Sequence, residues 1–161
     1  MSMSAHQSPI MKSDEWLTPP DILFSLGDFD LDPCSPINRP WDTAKMHLTI
    51  EDDGLSRSWS GRVWMNPPFG REAVKWMRKI RDHGNGIALI PARTETAMFY
   101  ETVWGFADAI CFIKGRPHFH RVNGARASFN SGAPICLIAY GDNNAKALRE
   151  SGLGFVTWAK Q

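Results

Sequence analysis

The 161-residue sequence predicts an α/β fold: one domain with a doubly wound, mostly parallel sheet and helices on both faces. Three observations predict it. Short apolar runs of strand length alternate with segments whose apolar residues recur at helical spacing. Glycine or proline punctuates most of the junctions. No repeat or low-complexity segment interrupts the series, and the chain is long enough for a genuine core.

The elements follow in order. Thr18-Pro19-Pro20, then DILFSL and Gly27, predicts a short helix with Thr18 as N-cap, prolines in the first turn and a glycine stop. Phe29–Asp32 is a short strand ending at Pro33, and Lys45–Ile50 alternates weakly enough to be a second. Arg62–Met65 is a third. Residues 71–83 place Val74, Met77 and Ile80, with Ala73 and Trp76 beside them, on one helical face, and Gly84 ends the run. Gly86–Ile90 reads as a buried strand, Glu95–Trp104 as a helix and Ala109–Ile113 as a strand. After a long polar loop come the strand Pro134–Tyr140, the helix Asn143–Glu150 and a last strand over Gly154–Trp158.

Composition narrows the class. With 43% hydrophobic and 22% charged residues the chain matches soluble globular proteins, and no apolar run approaches the ~20 residues of a membrane span. The first thirteen residues, MSMSAHQSPIMKS, lack the apolar stretch and cleavage site of a signal peptide; they read as a flexible tail (1–13) before a domain over 14–161. Cys34, Cys111 and Cys136 are odd in number and widely spaced, which suits a reduced cytoplasmic protein. His118 and His120 alone do not make a metal site; we read them as part of a solvated or phosphate-facing loop and expect no metal. Charge is asymmetric: residues 1–53 carry ten acidic and three basic side chains, residues 54–161 fifteen basic and seven acidic. The later part is therefore expected to supply a nucleic-acid face.

One motif carries chemistry. The apolar run Val63-Trp64-Met65 leads into Asn66-Pro67-Pro68-Phe69. The exocyclic amine of adenine or cytosine is a poor nucleophile because its lone pair is delocalised into the ring. Two acceptors gripping its N–H groups draw the nitrogen toward tetrahedral geometry. Asn66 offers a side-chain oxygen and Pro67 a backbone carbonyl, whose direction the Pro67-Pro68 pair restricts before substrate arrives. Phe69 supplies a ring on which a flipped base stacks.

Taken together, EWLTPPDIL, FDLDPCSP, TIEDDGLSRSW, VWMNPPFGR, LIPARTETAMFY, FIKGRPHF and SGAPICLIAYG resemble the phage-type DNA N-6-adenine-methyltransferases, from Glu15 to about Gly141. The resemblance implies a Rossmann-like methyltransferase fold, S-adenosylmethionine as cofactor, DNA as partner and a bacterial host cytoplasm. It implies that Trp16, Thr18 and Pro19 meet the methionine end of the cofactor. Asp32-Pro33-Cys34 looks like the acidic-residue-then-proline cofactor motif, and among Glu51, Asp52 and Asp53 we choose Asp53 for the adenosine. One feature departs from the wider pattern: Ser35-Pro36-Ile37-Asn38 carries no glycine-rich turn.

For DNA contact, Lys114, Arg116, Arg121 and Arg126 fall within thirteen residues that contain no acid, and Arg93 and Thr94 follow a strand end. Cys34 is read as a small cofactor-side or core residue, not a nucleophile, because transfer to an amine needs no covalent enzyme intermediate. Methylation of an RNA adenine or a protein glutamine amide, or a catalytically dead binding module, would also suit the motif. Exposed aromatics among the seven tryptophans are a possible dimer face.

Overall fold

The computed structural model describes residues 16–127 and 131–160; the tail expected over 1–13 lies outside them. Chain order is α1 (Pro20–Leu26), β1 (Leu31–Asp32), β2 (Met46–His47), β3 (Val63–Met65), α2 (Ala73–His83), β4 (Gly86–Pro91), α3 (Ala97–Thr102), β5 (Ala109–Ile113), β6 (Ile135–Tyr140), α4 (Asp142–Glu150) and β7 (Gly154–Thr157). Every element predicted from periodicity is present, with ends trimmed by up to a few residues.

The seven strands form one sheet in the order β2-β1-β3-β4-β6-β5-β7. β2, β1, β3 and β4 pair in parallel; β6 runs antiparallel between β4 and β5, and β7 antiparallel to β5. The first five strands of the chain therefore point one way and β6 and β7 the other, so the sheet is mixed. Residues alternate cleanly between its faces, as strand geometry requires. Ala88, Ile90, Cys136, Ile138 and Tyr140 pack on one side with Met77 and Ile80 of α2 and Phe99 of α3. Ile87, Leu89, Ile135, Leu137 and Ala139 face the other, with Ile22 and Leu26 of α1 and Ala145 and Leu148 of α4. Both faces are covered, so β4 and β6 are buried along their whole length and read as unbroken apolar runs.

Two helix ends test the sequence reading. Gly84 stops α2 in the left-handed conformation (φ 74°), its N–H bonded to the Ile80 carbonyl, as expected. Thr18 is not the cap of α1: Pro19 holds that position without a side-chain bond. Pro20 has no N–H to cap, and the Ile22 N–H is taken by the Pro19 carbonyl at 3.1 Å. The Thr18 hydroxyl is thereby left for another partner. Of the seven tryptophans only Trp158 is largely exposed, so the tryptophans do not support the dimer face expected of them.

Arg62, just before β3, ties the layers together. It donates to Asn144 Oδ1 of α4 at 2.6 Å, to the Leu26 carbonyl at 2.8 Å and to the Asp28 carbonyl at 2.9 Å, and its guanidinium lies 4.2 Å from the centre of the Phe29 ring. Charged hydrogen bonds of this kind are worth more than neutral ones. Arg62→Met is expected to lower the unfolding free energy by about 2–4 kcal/mol, read as a shift of the urea midpoint at unchanged m-value.

Candidate functional site

The common direction of β1 to β5 brings five carboxyl ends to one edge of the sheet, where open α/β sheets bind ligands. Asp32 ends β1, Asn66 follows β3, Arg93 follows β4 and Lys114 follows β5. The strand order places the acidic cofactor candidates at one end of this edge, the basic residues at the other and Asn66 between them.

A cavity of about 650 Å³ opens at the β1–β3 end, within the range of small-molecule and cofactor sites. Trp16, Thr18, Asp32, Pro33, Cys34, Asp53, Asn66 and Pro68 all line it; Pro19, Pro67 and Phe69 do not. Asn66 Nδ2 donates to the Trp16 carbonyl at 3.1 Å and to Thr18 Oγ1 at 3.4 Å. A backbone carbonyl only accepts, so the nitrogen must face Trp16, and the side-chain oxygen is left without a protein partner among the described residues. The Pro67 carbonyl likewise has none there. Phe69 is half-buried, with its ring edge-on to Phe119 (centroids 6.5 Å apart, 73° between planes).

Asp32 is 4% exposed. Its carboxylate accepts from the Thr43 hydroxyl and from the Cys34 N–H (3.2 Å). Burial pushes its pKa up to about 6, against 3.8 for an ordinary aspartate, although both hydrogen bonds pull the other way. Cys34 Sγ donates to the Asn66 carbonyl at 3.4 Å, and burial, followed by the neighbouring Asp32 charge, raises its thiol well above the usual range. A protonated, hydrogen-bonded thiol bracing the strand end is not a nucleophile.

The three acids after β2 differ in what they do. Asp52 accepts from Thr49 N–H (2.8 Å) and Thr49 Oγ1 (3.2 Å), which holds its own turn and lowers its pKa. Glu51 lies off the cavity wall. Asp53 lines the cavity, and its backbone takes the left-handed conformation (φ 51°) that aspartate tolerates better than most residues.

At the far end of the edge, residues 119–127 form a small hairpin. Its rungs are Ala127 N–H to the Phe119 carbonyl, a bridge between His120 and Arg126, and Arg121 N–H to the Ala125 carbonyl. Lys114, Arg116, Arg121, Arg126 and Arg93 are all exposed, and none forms an ion pair among the described residues. Arg116 reaches only the Gly132 carbonyl at 3.3 Å. Thr94 is half-buried, and its carbonyl accepts from Trp104 Nε1 at 2.9 Å. Of the two readings of the histidines, solvated or phosphate-facing, burial argues against the first: His118 and His120 are half-buried, and His120 packs edge-on against Trp41 (5.2 Å). No group of three or more metal-ligating side chains exists among the described residues.

A family model for DNA N-6-adenine-methyltransferases (Dam) matches residues 6–151. The chain belongs to that family. It is a DNA adenine N-6 methyltransferase, and its methyl donor is S-adenosylmethionine. No curated protein and no solved structure matches the chain. Among the described residues, no helix is long and apolar enough to cross a membrane.

The methyltransferase's cavity fits such a donor on two observations. Trp16, which lines the cavity, has a buried Nε1 without a hydrogen-bond partner among the described residues, an unmet donor that a bound molecule can satisfy. The second concerns the missing glycine turn. Gly54, from the loop after β2, lies so close to the β1 turn that an added Cβ would fall 2.0 Å from the Pro33 carbonyl oxygen. A glycine is thus present at the Asp32-Pro33-Cys34 turn, but it arrives from another segment. Sequence reading gave Gly54, Phe119 and Thr43 no role of their own. Only the EDDG and GRPHF strings hinted at the first two, and nothing local marks Thr43.

Asp32 makes stability depend on pH with a definite sign. Its pKa is raised in the folded state, so its contribution is most favourable with the carboxyl protonated, below about pH 4, and is lost as pH rises through about 6. Above that the buried charge costs roughly 3 kcal/mol. In the cofactor-free methyltransferase, Asp32→Asn should therefore raise the thermal midpoint at pH 7.5 and give no gain at pH 4, as scanning calorimetry at both pH values would show.

Proposed function

We propose that the Asn66 oxygen and the Pro67 carbonyl hold the N-6 amine of a flipped adenine, with Phe69 against the base, while the cavity beside them holds the methyl donor. The observation that carries this reading is the orientation of the Asn66 amide: both amide hydrogens are turned toward Trp16 and Thr18, and the acceptor oxygen has no partner among the described residues. Bound S-adenosylmethionine supplies a methyl group on a positively charged sulfur, already activated for attack.

What the chain supplies is position and alignment. Asn66 and Pro67 accept the two amine hydrogens as hydrogen bonds without removing them, which raises the availability of the nitrogen lone pair. The amine then takes the methyl, the carbon–sulfur bond breaks with its electron pair left on sulfur, and the extra amine proton leaves to solvent. Phe119 is a second aromatic beside Phe69, placed to wall the base on its edge. In this reading Asp32 and Asp53 face the positively charged donor, and Trp16, Pro19, Pro33 and Cys34 complete its surroundings, as the resemblance implies, while the Thr18 hydroxyl is engaged by Asn66.

Arg93, Thr94, Lys114, Arg116, Arg121 and Arg126 hold the phosphates on either side of the flipped base. In this reading sequence preference rests on this short edge. Three unpaired cysteines fit a reducing bacterial cytoplasm.

Asn66→Ala removes one acceptor and should reduce turnover on the order of a hundredfold, measured as N-6-methyladenine released from treated DNA by digestion to nucleosides and mass detection; a variant as fast as wild type would refute the assignment. Arg116→Gln with Arg121→Gln should weaken DNA binding and lessen the slope of log affinity against log salt by about 1–2. An unchanged slope would mean that the hairpin does not touch the phosphates.

A further inference from the structure

The Thr18 hydroxyl points away from the helix it precedes and toward the reacting end of the site. Thr18 is 2% exposed, and its Oγ1 accepts from Asn66 Nδ2 at 3.4 Å, beside the 3.1 Å bond from the same nitrogen to the Trp16 carbonyl. An asparagine amide has two flip states of nearly equal shape, and only one presents oxygen to the cavity. Turned over, the amide would set its oxygen against the Trp16 carbonyl, acceptor against acceptor, and leave the two hydrogens facing a substrate amine that needs acceptors.

The segment making this choice is itself held. Leu17, between the two partners, exchanges both backbone bonds with His120 (2.8 and 2.9 Å), and Leu17 is buried. The clamp therefore has a fixed frame, in a segment that itself lines the cavity.

We propose that Thr18 is a positioning residue for methyl transfer, its hydroxyl holding the Asn66 amide in the flip state that aims the oxygen at the substrate amine. This rests on the reading of Asn66 given above. It differs from a cofactor contact in what it predicts: loss of the hydroxyl slows the chemical step and leaves donor binding alone.

The test compares Thr18→Val, Thr18→Ser and Asn66→Ala under single-turnover conditions on DNA, with calorimetric titration of S-adenosylhomocysteine. Thr18→Val is expected to slow turnover about tenfold, the effect of one hydrogen bond, with the dissociation constant and the KM for DNA unchanged. Thr18→Ser should restore the rate to within about threefold of wild type, since it keeps the hydroxyl. An unchanged rate in Thr18→Val beside a slow Asn66→Ala would overturn the proposal and leave the function standing. Weaker S-adenosylhomocysteine binding by Thr18→Val at an unchanged rate would also overturn it, by making Thr18 a donor contact. A fast Asn66→Ala would instead overturn the reading on which the proposal rests. One measurement needs no valine variant. In the wild-type protein the Asn66 side-chain amide protons, identified by their loss in Asn66→Ala, should exchange with solvent more slowly than those of exposed Asn38; equal rates would overturn the clamp.

Discussion

A backbone carbonyl accepts hydrogen bonds and never donates them, and at Trp16 that constraint orders the site. It forces the Asn66 nitrogen inward at 3.1 Å, which turns the amide oxygen outward, and that outward oxygen is the acceptor on which the proposed function rests. The strand below supplies a stable base: Val63, Trp64 and Met65 are all buried, and Cys34 Sγ braces the Asn66 carbonyl from the neighbouring strand end. The corner is thus held from the sheet, from the β1 turn and from the segment leading into α1. A group that must meet a substrate within a few tenths of an ångström benefits from such redundancy.

The layout of the edge follows from strand direction alone. Five strands ending together put a buried acid, an amide and a set of free cations in one row. The row has an electrostatic sense that matches the proposed function: an acidic end for the positively charged donor and a basic end for the polyanionic DNA. The amide lies where the two must meet. The charge imbalance between the two parts of the chain is the sequence's image of this row.

Much of this was legible in the residues. Periods of two and 3.6, with Gly27, Gly84 and the prolines as punctuation, located the elements because local packing and turn chemistry agree there. The direction of β6 was not legible: Ile135–Tyr140 is apolar at every position, and a strand buried on both faces carries no mark of which way it runs. The Thr18 cap was misjudged because capping preference is a local rule, whereas the hydroxyl's partner is 48 residues away. Gly54 escaped for the same reason, since its need to be small is set by the Pro33 carbonyl of another loop. Asp53 was selected by resemblance; the geometry adds that Asp52 is occupied by Thr49 while Asp53 borders the cavity.

The hairpin over residues 119–127 has a consequence for how this enzyme diversifies. Its last cross-strand rung joins Arg121 to Ala125, and its base is pinned to Leu17. Val122, Asn123 and Gly124 lie beyond every rung of that ladder, but Gly124 (φ 87°) packs so close to Pro40 that an added Cβ would fall 3.3 Å from its side chain, which leaves exposed Asn123 as the least constrained position of the tip. With the hairpin against DNA as proposed, that position is where base preference can change with the least disturbance of the amide behind it.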